Sequence, residues 1–322
     1  MPYGLTGLDP ADSIADYLAE VLGHRVLVSL TVGSARANRK PILNVHRDDG
    51  VEIGFAKVGL NDLTNQLVHH EGQTLGRLAA AVTPTFEAPR TIHSGQWQGH
   101  EVLLMSALRP DVPQRQLAPL TAAAAGIIAT APIYHSTIGD SAWASGLGHS
   151  TAELRRTSDR DLPVLLDQFL RLHHDTVIPF GAWHGDFGPW NLAHTSALPM
   201  IWDWERYALD VPGGMDVVHY QAHRALRQIG NVAAARNALE DSAMAALSKV
   251  LARTPGVNTP TPAALHAIVI GYLLTIATRF TLDARTPSGG PIKDLAQWHR
   301  TVIYDQLQRG LRTTNASQAA QL

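Results

Sequence analysis

Apolar side chains recur along this chain with two different periods, and the switch between them marks out its elements. Ile14, Tyr17, Leu18, Val21 and Leu22 fall at the three- and four-residue spacing of one helical face. Asp9-Pro10 reads as an N-cap followed by proline at the first helical position, and Gly23 stops the run. From Val26 the period drops to two: Val26, Val28, Leu30 and Val32 alternate with Leu27, Ser29 and Thr31. Two further strand-like runs, 41–46 and 51–58, flank the turn signal Asp48-Asp49-Gly50. Residues 62–80 return to helical spacing, and 101–105 (EVLLM) read as a buried strand preceded by a polar turn at 94–99. The pattern predicts a small antiparallel sheet carrying a helix over residues 24–108.

Arg109-Pro110-Asp111-Val112-Pro113 suits neither helix nor central strand and is the best linker. Beyond it the chain turns Ala- and Leu-rich. Helices are expected over 117–131, 160–174, 216–252, 261–281 and 291–309, with a Gly/Ser/Ala loop near 140–150. Loops fall at 254–262 and 284–291, short apolar runs at 182–183 and 199–202, and the tail TTNASQAAQL is expected to fray. The organisation is therefore α+β, with a sheet-bearing region 1–108 followed by a mainly helical region 109–322. Residues 263–280 are apolar over nearly a membrane-spanning length, but His266, Tyr272 and Arg279 interrupt them, which makes a buried core helix the better expectation.

Composition narrows the field. The chain has 322 residues, 45% of them apolar, enough for a large core and two lobes. Lys+Arg 26 against Asp+Glu 28 leaves a formal charge of -2, without the basic excess of a nucleic-acid binder or a membrane-surface patch. The absence of cysteine excludes disulfides, thiolate zinc sites and a cysteine nucleophile. The first residues, MPYGLTGLDPADS, lack a basic stretch leading into an apolar segment, so a cytoplasmic protein is expected.

The segment richest in chemistry is His184-Gly185-Asp186-Phe187-Gly188-Pro189-Trp190-Asn191, followed by Ile201-Trp202-Asp203-Trp204-Glu205. Gly and Pro around Asp186 preclude a regular helix and favour a rigid loop. Asp203 ends a short apolar run, which sets its carboxylate at a strand end. Asp186, Asn191 and Asp203 together offer two carboxylates and an amide oxygen, the hard ligands Mg²⁺ prefers. HGD-x4-N followed by hydrophobic-D-W-E resembles the aminoglycoside phosphotransferase and choline-kinase-like family, which shares the two-lobed protein-kinase-like fold. The resemblance implies that ATP and Mg²⁺ bind between the lobes. It implies that Asp186 receives the proton of an acceptor hydroxyl while Asn191 and Asp203 hold the metal. It makes Asp216, in GGMDVVHY, a buried brace of the catalytic loop. His184 is expected to brace that loop by hydrogen bonding, and Glu205 to form an ion pair.

The amino-terminal region offers a separate check. Val51, Ile53, Phe55 and Lys57 share one strand face, and Leu63, Leu67, Glu71 and Leu75 share one helix stripe. A lysine and a carboxylate, each alone on an apolar face, are costly to bury unless they meet. Lys57 and Glu71 are therefore expected to pair, with lysine directed at nucleotide phosphates. Phosphate contact is assigned to the backbone N–H groups of Ser34 and Ala35, although Val32-Gly33-Ser34-Ala35-Arg36 departs from a glycine-rich loop. Residues 105–108, Met105 and Ala107 in particular, are placed at the adenine edge.

The expected activity is transfer of the ATP γ-phosphoryl group to a hydroxyl of a small molecule such as a sugar, amino sugar, antibiotic or other natural product. A pseudokinase-like binding module is an alternative, opposed by the complete set of charged residues. A metal-dependent phosphohydrolase of the HD type is another. It would recruit His173-His174-Asp175 with His184 and Asp186, His69-His70 upstream and Asp203 or Asp216 downstream, but the sheet-like first third fits that all-helical class poorly. His173 and His174 are expected instead to end a helix as imidazolium groups. Residues 231–322 carry five acids and nine bases, a balance that argues against a polycationic acceptor.

Overall fold

A computed structural model of the chain describes residues 13–32, 38–80, 85–110, 120–193, 198–229, 232–285 and 293–319. Helix α1 (Ile14–Leu22) begins at Ser13, whose side chain accepts from the Asp16 N–H, and ends at Gly23 with φ 72°. The cap is thus Ser13, four residues later than Asp9. Strands β1 (Val26–Val32), β2 (Pro41–Arg47) and β3 (Glu52–Val58) follow, then helix α2 (Asp62–Ala79) and strands β4 (Thr91–Trp97) and β5 (His100–Ser106). All five strands form one sheet in the order β1-β2-β3-β5-β4, antiparallel throughout.

Strand β4 occupies part of the region expected to be a polar turn. Its sequence, TIHSGQW, is polar because the strand lies at the sheet's edge with alternate residues exposed. The turn itself is confined to Gln98 and Gly99, at φ 49° and 79°, joining Trp97 to its partner His100. Two left-handed residues in succession match the twist of a tight hairpin.

The register Ala56↔Leu104 and Lys57↔Leu103 divides the sheet into two faces. Ala56, Val58, Val102 and Leu104 pack beneath Leu18 of α1. On the other face Leu103 and Met105 join Val68 and Leu75 of α2 in the main core. Lys57 projects on this second face.

The helical region contains α3 (Thr121–Ile128), β6 (Tyr134–Thr137), α4 (Ala142–Ala152), α5 (Asp161–His173), β7 (Val177–Trp183), β8 (Leu192–Ala193), β9 (Met200–Ile201) and β10 (Ala208–Pro212). It continues with α6 (Met215–Ile229), α7 (Val232–Asn237), a π-helical turn at Ala238–Ala243, α8 (Met244–Leu251), α9 (Pro262–Asp283) and α10 (Lys293–Ala319). The loop expected near 140–150 is helix α4 instead. Ser141 caps it through the Ala144 N–H, and Trp143, Leu147 and Thr151 bury one side, which outweighs the low helix propensity of Gly146 and Gly148. Helix α10 extends to Ala319, through the start of that tail. Strand β7 extends well before 182–183; Pro179 and Gly181 hid it, and it sits between β10 and β6. The expected linker has Arg109 and Pro110 in irregular backbone, and its last three residues lie outside those described.

Helix α9 is the spine of this region. By length and composition it could cross a membrane, yet 72% of its most apolar window is buried within the protein. Ile268, Ile270, Leu273 and Ile276 are fully buried, and the helix packs on α5, α6 and α10. Among the described residues the architecture is two-lobed and protein-kinase-like, with a five-stranded antiparallel sheet in one lobe and mostly helix in the other.

Candidate active site

The loop after β7 carries His184, Gly185 and Asp186, and its shape is fixed from below. Asp216, in the first turn of α6, accepts from the N–H of His184 at 2.7 Å and of Gly185 at 3.1 Å. Burial raises the Asp216 carboxyl to about 7, against the pull of these two donors. Arg279 of α9 donates to the Gly185 carbonyl at 2.7 Å. Gly185 sits at φ 82°, and a Cβ there would lie 2.2 Å from the Arg206 carbonyl, so glycine is required twice over. His184 accepts from the Asp186 N–H at Nδ1 (3.2 Å) and donates from Nε2 to the Trp202 carbonyl (3.0 Å). Burial holds this imidazole down to about 4, so it is neutral and ties the loop to the segment that carries Asp203.

The Asp186 side chain is 28% exposed, the opening a ligand needs. Its Oδ2 accepts from Trp190 Nε1 at 3.2 Å and from Asn191 Nδ2 at 3.0 Å. Burial works against its charge, but His219, Arg279 and Trp190 outweigh burial and hold the carboxyl below the usual range.

Asn191 and Asp203 come together through the shortest sheet among the described residues. Strands β8 and β9 pair Leu192 with Ile201, and the Trp202 N–H donates to the Asn191 carbonyl at 3.2 Å. Asn191 and Asp203 therefore emerge at the same end of this hairpin. Asp203 has φ 68° and ψ 57°, a left-handed conformation uncommon outside glycine, asparagine and aspartate.

The lobes meet on Lys57, which is only 6% exposed. Its Nζ lies 2.8 and 2.6 Å from the two oxygens of Glu71 and 2.5 Å from Asp203 Oδ1. Glu71, fully buried, also accepts from the Trp204 N–H at 3.1 Å. Burial opposes the charge on Lys57, but Asp203 and Glu71 reverse its effect and raise the ammonium above its ordinary value. Burial raises Glu71 to about 6 despite the lysine beside it. Lys57, Glu71 and Asp203 thus meet directly, and Asp186 is hydrogen-bonded to Asn191 at the hairpin end from which Asp203 also emerges.

Other expected positions behave differently. Ser34 and Ala35 lie outside the described residues. Met105 is paired on both sides, with Phe55 of β3 and Thr91 of β4, so its backbone is committed to the sheet. Ala107 lies past the end of β5 and is the one of the two whose backbone leaves the ladder. Glu205 pairs with Lys40 and accepts from Asn38 at 2.8 Å, as expected of a structural ion pair. His173 ends α5, but burial together with His266 pulls it down to about 4; it is not an imidazolium. The histidines needed by an HD-type site are engaged separately: His69 with Glu101, His70 with the Tyr207 carbonyl and His174 with Asp175. Sequence reading missed Lys40 and His219. Lys40 abuts the start of β2 without any pattern to mark it, whereas His219 follows Asp216 by three residues on α6, a spacing that could have placed it beside the loop.

Among the described residues, one group of three His or carboxylate side chains converges, Glu71, Asp203 and Glu205, with candidate ligand oxygens within 4.8 Å of one another. Glu71 is taken by Lys57 and Glu205 by Lys40. Asp203, with its side chain 24% exposed, is the member that can accept a cation, and Asn191 supplies an amide oxygen at the same hairpin end. This donor set fits a hard divalent ion that keeps several waters or phosphate oxygens. A cavity of about 1160 Å³ opens beside Leu78, Phe86, Arg90, Ala107, Met200 and Arg253. None of the five charged or amide groups above lines it, and the chemistry follows those groups rather than the volume.

No known family's sequence pattern matches the chain, and no curated protein matches it in sequence. Its fold does match solved structures. A thermostable mutant of aminoglycoside phosphotransferase APH(4)-Ia, in ternary complex with ADP and hygromycin B, superposes with a TM-score of 0.61 at 13% identity, covering 92% of this chain and 98% of that one. The apo form of a mutant of the same enzyme gives 0.60, also at 13% identity, over 92% and 99%. The GDP complex of wild-type aminoglycoside 2'-phosphotransferase-IIIa gives 0.54 at 12% identity over 85% and 92%. The chain has the kinase-like fold of these phosphotransferases.

Proposed function

We propose that this protein is an ATP-dependent small-molecule kinase, transferring the γ-phosphoryl group to a hydroxyl of a sugar, amino sugar, antibiotic or other natural product. One observation carries the proposal: Lys57, Glu71 and Asp203, from three separate parts of the chain, join in a single buried ion cluster, across the crevice from Asp186. A buried lysine flanked by two carboxylates is a device for gripping phosphate, and similar folds with bound ADP support ATP as the donor. Asn191 and Asp203 would hold Mg²⁺, which neutralises charge on the phosphates.

Asp186 positions the acceptor hydroxyl in line with the γ-phosphorus. The hydroxyl oxygen bonds to that phosphorus as the bond to the β–γ bridging oxygen breaks and its electron pair leaves with ADP. The hydroxyl proton passes to the Asp186 carboxylate. A carboxylate held this acidic is a weak base, which suits a loose transfer in which the proton moves late. Its main work is orientation. The cytoplasm is the proposed compartment, and the acceptor is proposed to be neutral or weakly charged, given the basic excess in residues 231–322.

The test is a screen of hydroxylated acceptors with Mg-ATP, read as a mass gain of one phosphoryl group. In it, Asp186→Ala should abolish transfer while Mg-ATP still binds. Normal turnover by that variant would remove Asp186 from the chemistry. ATP binding without consumption, with any acceptor, would favour the pseudokinase-like alternative.

A further inference from the structure

Helix α6 approaches the catalytic loop with more than Asp216. One turn further along the same face stands His219, 1% exposed, its Nε2 3.3 Å from Asp186 Oδ1. This nitrogen is shut away from solvent and falls short of hydrogen-bond alignment with any partner. Asp186 is thus its nearest counterpart, at a distance with room to shorten. Contacts of catalytic groups are often long before substrate arrives.

The groups on either side of the ring decide which nitrogen carries the proton. Tyr272 of α9, fully buried, lies with its hydroxyl 3.3 Å from His219 Nδ1. Burial pushes the Tyr272 phenol up, so it keeps a proton to give. The ionised Asp186 carboxylate facing Nε2 can only accept, which sets the hydrogen on Nε2 and leaves Nδ1 to accept from Tyr272. His223, four residues on, stacks on His219 with ring centres 4.2 Å apart and meets the edge of Trp190 at 5.5 Å. The imidazole is held on every side.

Counting lone pairs then places the acceptor. Each carboxylate oxygen accepts about two hydrogen bonds. Oδ2 already receives Trp190 and Asn191, and Oδ1 receives His219 once that 3.3 Å contact shortens. One acceptor site remains, on Oδ1. Resting on the kinase function proposed above, we propose that His219 is a positioning residue for Asp186: its Nε2–H fixes Oδ1 and leaves that oxygen's second lone pair as the docking point for the acceptor hydroxyl.

Two measurements test it. The first uses Mg-ATP with water as the acceptor. His219→Leu removes the donor and keeps an apolar volume. Turnover should fall by about 100-fold, the scale of a small misplacement of a reacting group, with KM for Mg-ATP unchanged. His219→Gln, whose amide can donate in place of Nε2, should recover most of the loss. Wild-type turnover in His219→Leu, or no advantage of Gln over Leu, would overturn the assignment. The second measurement needs no activity. In protein carrying ¹⁵N-histidine, His219 should show the Nε2–H tautomer, and its Nε2–H resonance should move in Asp186→Ala. An Nδ1–H tautomer would turn a lone pair toward the carboxylate and sink the proposal even in an active enzyme. If wild-type protein consumes no ATP with water or with any hydroxylated acceptor, the kinase function fails on its own, while the tautomer still reports the contact.

Discussion

Lys57 shows what a single charge does when it is moved into the crevice. Its ammonium neutralises two carboxylates at once, Glu71 at 2.6 Å and Asp203 at 2.5 Å. Lys57→Met would leave both acids buried and facing each other. Removing one partner of a buried pair costs roughly 3–5 kcal/mol, because the uncompensated charge remains. Denaturant unfolding should show a loss of that order, and phosphoryl transfer should disappear with it. In Lys57→Met combined with Glu71→Leu, most of the stability should return and the activity should not. A single variant as stable as the parent would mean that the cluster is not desolvated as described. The same residues explain what the sequence disclosed. Lys57 and Glu71 were legible because each is a polar intruder on an apolar face, and burial forces such intruders to meet. The Lys40–Glu205 pair left no such trace. Lys40 precedes its strand, so no periodic face exposes it as misplaced.

At the scale of elements, backbone conformation and space can be separated with two glycines. Gly99, in the β4–β5 hairpin, needs only a left-handed φ, since a Cβ there would meet nothing within 4 Å. Gly99→Ala should cost about 1–2 kcal/mol in unfolding experiments and leave turnover intact. Gly185 needs the left-handed φ and also lies where a Cβ would collide with the Arg206 carbonyl. Gly185→Ala should destabilise more and also dislodge Asp186, so activity should fall out of proportion to stability. Equal effects of the two substitutions on turnover would show that the loop is not held as described. Elements with a clean period, α1, β1, β3 and α2, were readable because one face of each is buried, and α9 was readable because its apolar run is long enough for a buried helix. Those that were missed lacked that contrast. Strand β7 is buried along nearly its whole length, so it shows no alternation, and Pro179 and Gly181 break even its apolar run. Helix α4 looks like a loop because glycine and serine dilute it, and only packing of Trp143 and Leu147 holds it helical. The Asp203 hairpin was visible as a strand end, but its left-handed residue was not, since nothing in WDW requires it.

For the molecule as a whole, the buried histidines set the response to acid. His173, His184 and His299 are held down to about 4, and His219 and His223 below their ordinary value, in each case chiefly by burial. In the unfolded chain each takes up a proton near pH 6.5. Between about pH 6.5 and 4, therefore, the unfolded state binds protons that the folded state refuses, and stability falls as pH falls. Each such histidine contributes a slope of up to about 1.4 kcal/mol per pH unit. Two carboxyls act in the opposite sense. Burial raises Glu71 to about 6 and Asp216 to about 7, so the folded state holds protons there that the unfolded chain has already released. Their contribution is present at low pH and is lost as pH rises toward those values. Asp186 and Asp203, both held low, stay ionised across the window and leave the slope unchanged. Five groups against two give a net loss of stability on acidification. Urea unfolding at pH 7, 6 and 5 should show the free energy declining stepwise. In His299→Phe, which removes one buried imidazole away from the crevice, the decline should be shallower by about one proton. A free energy that stayed level or rose between pH 7 and 5 would mean that the imidazoles titrate freely, and the row from His219 through His223 to His299 would then be open to water rather than buried.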